Sequence, residues 1–276
     1  MDDNGEVWAI TMVRDEEDIV RATVGNMLTQ VDRVLVADNL SRDNTRTILN
    51  QMAYRHPKQL EVVNDDEPGY YQSRKMTALA LRAHQEGARW VVPFDADEYW
   101  VGSLGTIAET LRAHDPDFGI VTAELYDHVA TRLDPIPGDI IDKLPWRRTY
   151  PLPLPKVACR TSGDMVIEQG NHGVRYAGIP VARTPTPRLI VHHYPYRTLE
   201  QFIHKIRNGA DAYAATTLPD SVGPHWRQWG EMSDEQLEGI FREYYWRDHP
   251  DRPIVHPDDP TEYPPLIRDV PRRVHL

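Results

Sequence analysis

Asp95, Asp97 and Glu98 stand within four residues of one another at the end of the apolar run in "WVVPFDADEYW" (Trp90–Trp100). Carboxylates this close repel and raise one another's pKa unless a cation sits between them. A solvated acidic turn is the plain reading, and a divalent ion held by hard oxygen ligands is the alternative. Similar groups recur in similar places: Arg14-Asp15-Glu16 follows "EVWAITMV", Asp38-Asn39 ends "RVLVAD", and Asn64-Asp65-Asp66 closes "LEVVND". Four successive apolar runs ending on acids or amides point to one polar cleft.

Those runs need a scaffold. Glu6–Val13, Arg33–Asp38, Leu60–Asp65 and the run into Phe94 read as buried strands. Between the first two, Ile19, Thr23, Val24, Met27 and Leu28 recur at helical spacing, with Asp15 as the expected N-cap. Asp43–Arg55 and Ser73–Gln85 read as further helices, and Phe118–Asp127 as a fifth strand. The alternation predicts an α/β fold: a Rossmann-like, mainly parallel sheet flanked by helices, with an irregular C-terminal half. Ligands of such sheets bind beyond the strands' carboxyl ends. Pro93 cannot donate to a ladder, so it is expected where its strand leaves the sheet.

Past about residue 130 the pattern loosens, and only Pro57, Pro68, Pro93 and Pro116 of 23 prolines come earlier. Leu133–Arg160 reads as a long surface loop, in which Trp146, Arg147, Arg148 and Tyr150 either close over a ligand or anchor the loop. Arg188–Tyr194 reads as a strand, Ser233 as the cap of a helix, and the tail from Asp248 as an extended surface segment.

Composition narrows the function classes. With 40% hydrophobic and 26% charged residues among 276, the chain is an ordinary globular protein. No apolar run reaches the roughly 20 residues of a membrane span. The acidic N-terminus lacks a secretory pattern, and the single Cys159 suits a reducing compartment, so a cytoplasmic location is expected. A net charge of −11 argues against a nucleic-acid partner. A small anionic ligand remains compatible, provided a local cation offsets the repulsion.

Three stretches in order, "MVRDEEDIV", "ADNLSRDNT" and "WVVPFDADEYW", resemble bacterial family-2 glycosyltransferases of the GT-A type. A fourth, "VHHYPYRTLEQFIHK", is similar to a later His-Tyr segment of one subgroup, so the likeness spans about residues 6 to 210. It implies a hexosyltransferase-like enzyme with a nucleotide-diphosphate sugar as donor, a UDP-sugar favoured, and a small-molecule or glycan acceptor such as a natural product or polysaccharide precursor. It implies one catalytic domain over 1–276, with a nucleotide-binding half (1–128), an acceptor and metal half (129–215) and a helical, Pro-rich extension (216–276). A homodimer is compatible with it.

The resemblance also assigns residues. Asp95 faces the nucleotide ribose, and Asp97, with Asp95 beside it, holds Mn²⁺ or Mg²⁺ on the diphosphate. Thr11, Val13, Glu16, Asp38, Asp43 and Ala96 contact the nucleotide. Arg74 and Lys75 fall where relatives place a basic residue near the phosphates. Arg197 and Lys205 either neutralise phosphate oxygens or pair with surface acids. Asn44 stands near a usual glycine, and Leu40 and Asp15 depart from the common pattern. His192 and His193 point to opposite faces of one strand, and His193 is favoured as a metal ligand, which tilts preference toward Mn²⁺. Transfer would invert the anomeric centre. Four residues compete for the general base: Glu168 and His172 in "IEQGNHGV" rank ahead of Asp127 and Glu124. Competing classes are a sugar-phosphate phosphatase, a nucleotidyltransferase, and a non-catalytic nucleotide-binding module of the same fold.

Overall fold

The computed structural model describes residues 5–114, 117–131, 140–178, 181–247 and 266–271. Strands β1 (Glu6–Val13), β2 (Arg33–Asp38), β3 (Leu60–Asn64) and β4 (Ala88–Pro93) alternate with helices α1 (Val20–Gln30), α2 (Thr45–Arg55) and α3 (Gln72–Gln85). All four pair in parallel, in the order β3-β2-β1-β4. Side chains alternate between two cores. Val7 and Ala9 join Val24, Met27 and Leu49 on one face, and Trp8 and Ile10 meet Met76, Ala80 and Ala83 on the other. Pro93 is the last residue of β4, and Phe94 resumes the ladder by donating to the Ile10 carbonyl at 3.0 Å.

Beyond β4 the sheet becomes mixed. It continues through β5 (Glu98–Gly102), helix α4 (Ile107–Arg112), β6 (Phe118–Asp127), β7 (Lys156–Arg160) and, later, β8 (Leu189–His193). The full path is β3-β2-β1-β4-β7-β6-β8-β5, with β7 antiparallel to both neighbours and β5 antiparallel to β8. The fold is thus the expected mainly parallel sheet flanked by helices, with three strands the sequence pattern did not suggest: β5, β7 and the short Ala182–Arg183, which pairs in parallel with β6 off that path. Lys156–Arg160 is no surface loop: Val157, Ala158 and Cys159 are fully buried at the centre of the sheet. Glu98–Gly102 forms the edge strand β5.

Helix starts depart from expectation as well. Asp15 does not cap α1, whose N-cap is Ile19 without a side-chain bond. Asp15 instead takes a positive φ of 54° and accepts from the Arg42 amide at 2.6 Å, tying the first loop to the second. Asn44 keeps a φ of −80°, and the left-handed residue of its loop is Leu40 at 58°. Thr106 and Glu109 form a reciprocal capping box on α4. Thr106→Ala is expected to cost about 1 kcal/mol, read as a lower urea midpoint with an unchanged slope.

Helix α5 (Leu199–Ala214) follows β8 and is capped by Thr198, then come α6 (Pro224–Gly230) and α7 (Asp234–Ile240), the last capped by Ser233 as expected. Phe202 and Ile206 on α5 pack with Tyr194, Leu237 and Phe241 in a third core. Residues 132–139 of the expected loop and most of the tail beyond Asp248 lie outside the described residues. Of the tail, Ile267–Arg268 forms a short antiparallel pair with Trp146–Arg147.

Candidate active site

A cleft of about 390 Å³ opens at the carboxyl ends of β1, β2 and β4, walled on the far side by α5 and α6. Val13, Glu16, Asp95, Ala96, Asp97, His172, His193 and Lys205 all line it. Register explains part of the gathering. His193 lies opposite Asp127 on one side and Glu98 on the other, so β8 carries its last residue to the rim between two acids.

One chain of alternating charge crosses the cleft. Arg197 grips Asp18 at 2.7 Å and Glu16 at 2.5 Å. Lys205 spans Glu16 at 2.9 Å and Asp97 at 2.5 Å. His193 Nε2 lies 3.6 Å from Asp97, and its Nδ1 donates to Asp127 at 2.7 Å, with Arg148 4.0 Å behind. Burial would raise the pKa of Asp97, but Lys205 and His193 hold it well below the usual carboxylate range. Burial would likewise discharge His193, yet Asp97 and Asp127 push its pKa up to about 10.

Asp95 belongs to a second network. It accepts from Lys156 at 2.6 Å and from Gln72 and Asn171 at 2.9 Å each. Lys156 also lies 2.8 Å from Glu98 Oε1, a charge contact without hydrogen-bond alignment, since that oxygen has no hydrogen-bond partner among the described residues. Burial raises the pKa of Glu98 despite Lys156. The Gly170 carbonyl accepts from Lys156 at 2.8 Å. Gly170 has a φ of 79°, and a Cβ there would lie 2.5 Å from the His172 ring, so glycine lets backbone and imidazole share this corner.

The residues are suited to a divalent cation in one specific way. Among the described residues, no three His, Cys, Asp or Glu side chains form a ready cage. Asp97 and His193 instead offer a two-donor corner. Nδ1 is committed to Asp127, so Nε2 faces the corner, and an ion binding there would take the place of the proton that Asp97 and Asp127 favour on the ring, the arrangement in which an outer carboxylate orients a metal-binding histidine. Remaining positions would have to come from water or phosphate oxygens, as is usual for Mg²⁺. His192 points away and pairs with His128 at 3.0 Å.

Other expected residues fall elsewhere. Asp38 ends β2 just before cleft-lining Asn39. Its Oδ1 is buried without a hydrogen-bond partner among the described residues, and its Oδ2 is 3.9 Å from Arg46. Thr11 is fully buried behind the lining. Asp43 accepts from the Glu17 and Thr45 amides, which is a loop-fastening role. Arg74 is paired with Glu67, and Lys75 with Asp65 at 2.7 Å, both outside the lining. Glu124 accepts from the Tyr126 hydroxyl at 2.7 Å, three residues from Asp127 and therefore on the opposite sheet face. Glu168 lies outside the cleft lining, 3.4 Å from Arg175. Asp127 is buried behind His193. His172 does line the cleft, with Nδ1 held by the Pro155 carbonyl at 3.1 Å. Trp146 packs with Val129 and Leu266, and Arg147 stacks on Tyr126 and pairs with Asp269; neither they nor Arg148 and Tyr150 line the cleft.

Sequence reasoning missed Lys156, Gln72, Asn171 and the aromatic wall of Tyr70, Tyr213 and Trp226. Only the apolar "VAC" after Lys156 hinted at a strand there.

A family model described as glycosyl transferase family 2 matches residues 8–168. No curated protein matches the sequence at a significant level. Among solved structures, the chain is similar to the mannosyltransferase PcManGT from Pyrobaculum calidifontis in complex with GDP-Man and Mn²⁺. That match has 17% identity, covers 86% of this chain and 73% of that one, and has a TM-score of 0.43. It is also similar to S. aureus TarS 1–349 in complex with UDP, at 13% identity, 87% and 72% coverage, and a TM-score of 0.40. Among the described residues no helix is long and apolar enough to cross a membrane.

Proposed function

Since the chain belongs to glycosyl transferase family 2, we propose that it moves a sugar from a nucleotide-diphosphate donor to a small-molecule or glycan acceptor in a metal-dependent, inverting reaction carried out by one catalytic domain. The observation that carries this reading is the Asp97–His193 corner, with Asp127 behind the imidazole, at the carboxyl ends of the sheet.

Asp97 and His193 would hold Mn²⁺ or Mg²⁺, and the ion, when bound, supplies positive charge to the departing diphosphate. The chain's own residues do the rest. Asp95, fixed by Lys156, Gln72 and Asn171, has the stance to take a ribose hydroxyl. Asp38, buried beside cleft-lining Asn39, has one carboxylate oxygen that would gain a partner if a donor hydrogen of the nucleoside reached it. A UDP-sugar is the favoured donor. Arg197 keeps Glu16 and Asp18 from repelling an incoming anion.

Of the base candidates, His172 fits best. Pro155 can only accept, so Nδ1 carries the proton and Nε2 is left as the acceptor. Burial, then Lys156, lower its pKa from 6.5, so the imidazole is neutral at pH 7 and able to take the acceptor's proton. The sugar stands to rest against Tyr70, Tyr213 and Trp226, since aromatic faces suit pyranose rings.

Screening nucleotide sugars for hydrolysis with Mn²⁺, Mg²⁺ or EDTA tests this reading. Turnover of one donor, abolished by EDTA, is expected; full turnover in EDTA would refute metal dependence. Asp38→Ala is expected to weaken nucleoside diphosphate binding roughly tenfold, measured by calorimetry.

A further inference from the structure

We propose that Lys205 is a displaceable counter-ion of the Asp97–His193 corner: its ammonium holds Asp97 until a nucleoside diphosphate arrives, so the divalent ion loads with the nucleotide and not before it. This inference rests on the metal-binding part of the function proposed above.

The placement comes from α5. Thr198 caps the helix through the Gln201 amide, and Phe202 and Ile206, both fully buried, pin its inner face. Lys205, between them, is therefore presented to the cleft on a rigid backbone. Its side chain is a flexible four-carbon stem ending in a compact point charge.

Three of the cations around the site, Arg197, Lys156 and Lys205, differ in their freedom to leave. Arg197 is fully buried and grips two acids at 2.5 to 2.7 Å. Lys156 is 4% exposed, with Asp95, Glu98 and the Gly170 carbonyl around it. Among the described residues Lys205 pairs with Glu16 and Asp97, and its side chain is 22% exposed, which leaves a way out to solvent.

Its contact on Asp97 is Oδ2, the same oxygen that lies 3.6 Å from His193 Nε2. An ion seated between that oxygen and the imidazole would compete directly with the ammonium and be repelled by it. Among the described residues the corner offers two protein donors, too few to win that competition alone. A diphosphate changes both sides at once: its oxygens complete the ion's shell and give the displaced ammonium an anionic partner. Metal and nucleotide binding are then thermodynamically linked through Lys205, each strengthening the other.

Mn²⁺ binding, followed by the electron paramagnetic resonance signal of the free ion, tests this without reference to turnover. Wild type, Lys205→Met, Lys205→Gln and Lys205→Arg are compared with and without saturating UDP or GDP. Melting temperatures show which variants are folded, and the two neutral variants stand in for one another. The neutral variants should bind Mn²⁺ without nucleotide about tenfold more tightly than wild type. Lys205→Arg should match wild type, and UDP or GDP should narrow the gap. The gain should vanish when Asp97→Asn is added.

A neutral variant that binds Mn²⁺ no more tightly than wild type, while wild type binds it with UDP or GDP, overturns the role of Lys205 and leaves the metal site standing. A gain that survives Asp97→Asn also overturns it, because the ion would be elsewhere. No Mn²⁺ binding by any variant, even with nucleotide, removes the metal site and this inference together.

Discussion

Asp97→Asn should lower kcat/KM for sugar transfer by about 10³-fold, equivalent to roughly 4 kcal/mol of transition-state stabilisation. The side chain keeps its shape and loses only its charge, so the loss reports electrostatics at the departing diphosphate. Lys205 retains Glu16 and His193 retains Asp127, so the melting temperature should move by a few degrees at most. Steady-state assays with donor and Mn²⁺ in excess check this. Activity within tenfold of wild type would remove Asp97 from the chemistry.

Lys156→Met should be the most destabilising change at the site. The ammonium is 4% exposed and is the only cation within 4 Å of the fully buried Glu98 among the described ion pairs. Removing one partner of a buried pair costs about 3–5 kcal/mol, because the other charge is left uncompensated. The melting temperature should fall by roughly 10 °C. The cost should be partly reversible: Glu98 also accepts from the Asp95 amide at 3.1 Å and the Trp100 indole at 3.0 Å, bonds that an amide oxygen can keep. Lys156→Met with Glu98→Gln should therefore be more stable than Lys156→Met alone. Urea unfolding of both decides the matter. A single variant within 0.5 kcal/mol of wild type, roughly the scale of an ordinary surface change, would show that Lys156 does not compensate Glu98.

What could be read from the sequence follows the strength of the local signal. β1 to β4 are apolar runs closed by polar groups, and their parallel order follows from the helices between them. Asp95 and Asp97 could be placed at the cleft because a strand's end fixes its last residues in space, whereas Asp38 ends β2 one residue short of the lining. β7 escaped notice because five residues between a proline run and a loop carry little periodicity, and because its first residue is a lysine. That lysine is charged for a reason invisible in one dimension: it neutralises two acids about 60 positions earlier. β5 was hidden in the same way, since Glu98 reads as the third acid of a turn until the antiparallel partner β8 is in place. The Glu124 and Asp127 alternatives could not be separated without knowing which face of β6 meets the cleft. Asp15 looked like a helix cap because acids before helices usually are; here the loop turns through positive φ, and the carboxylate serves the neighbouring loop instead.

The most direct test is diffraction from crystals grown with Mn²⁺ and UDP, or GDP, recorded at the manganese absorption edge. An anomalous peak bridging Asp97, the His193 Nε2 and the diphosphate, with Lys205 withdrawn from Asp97, is the predicted result. Bound nucleotide with no peak there, and Lys205 still seated on Asp97, would contradict it.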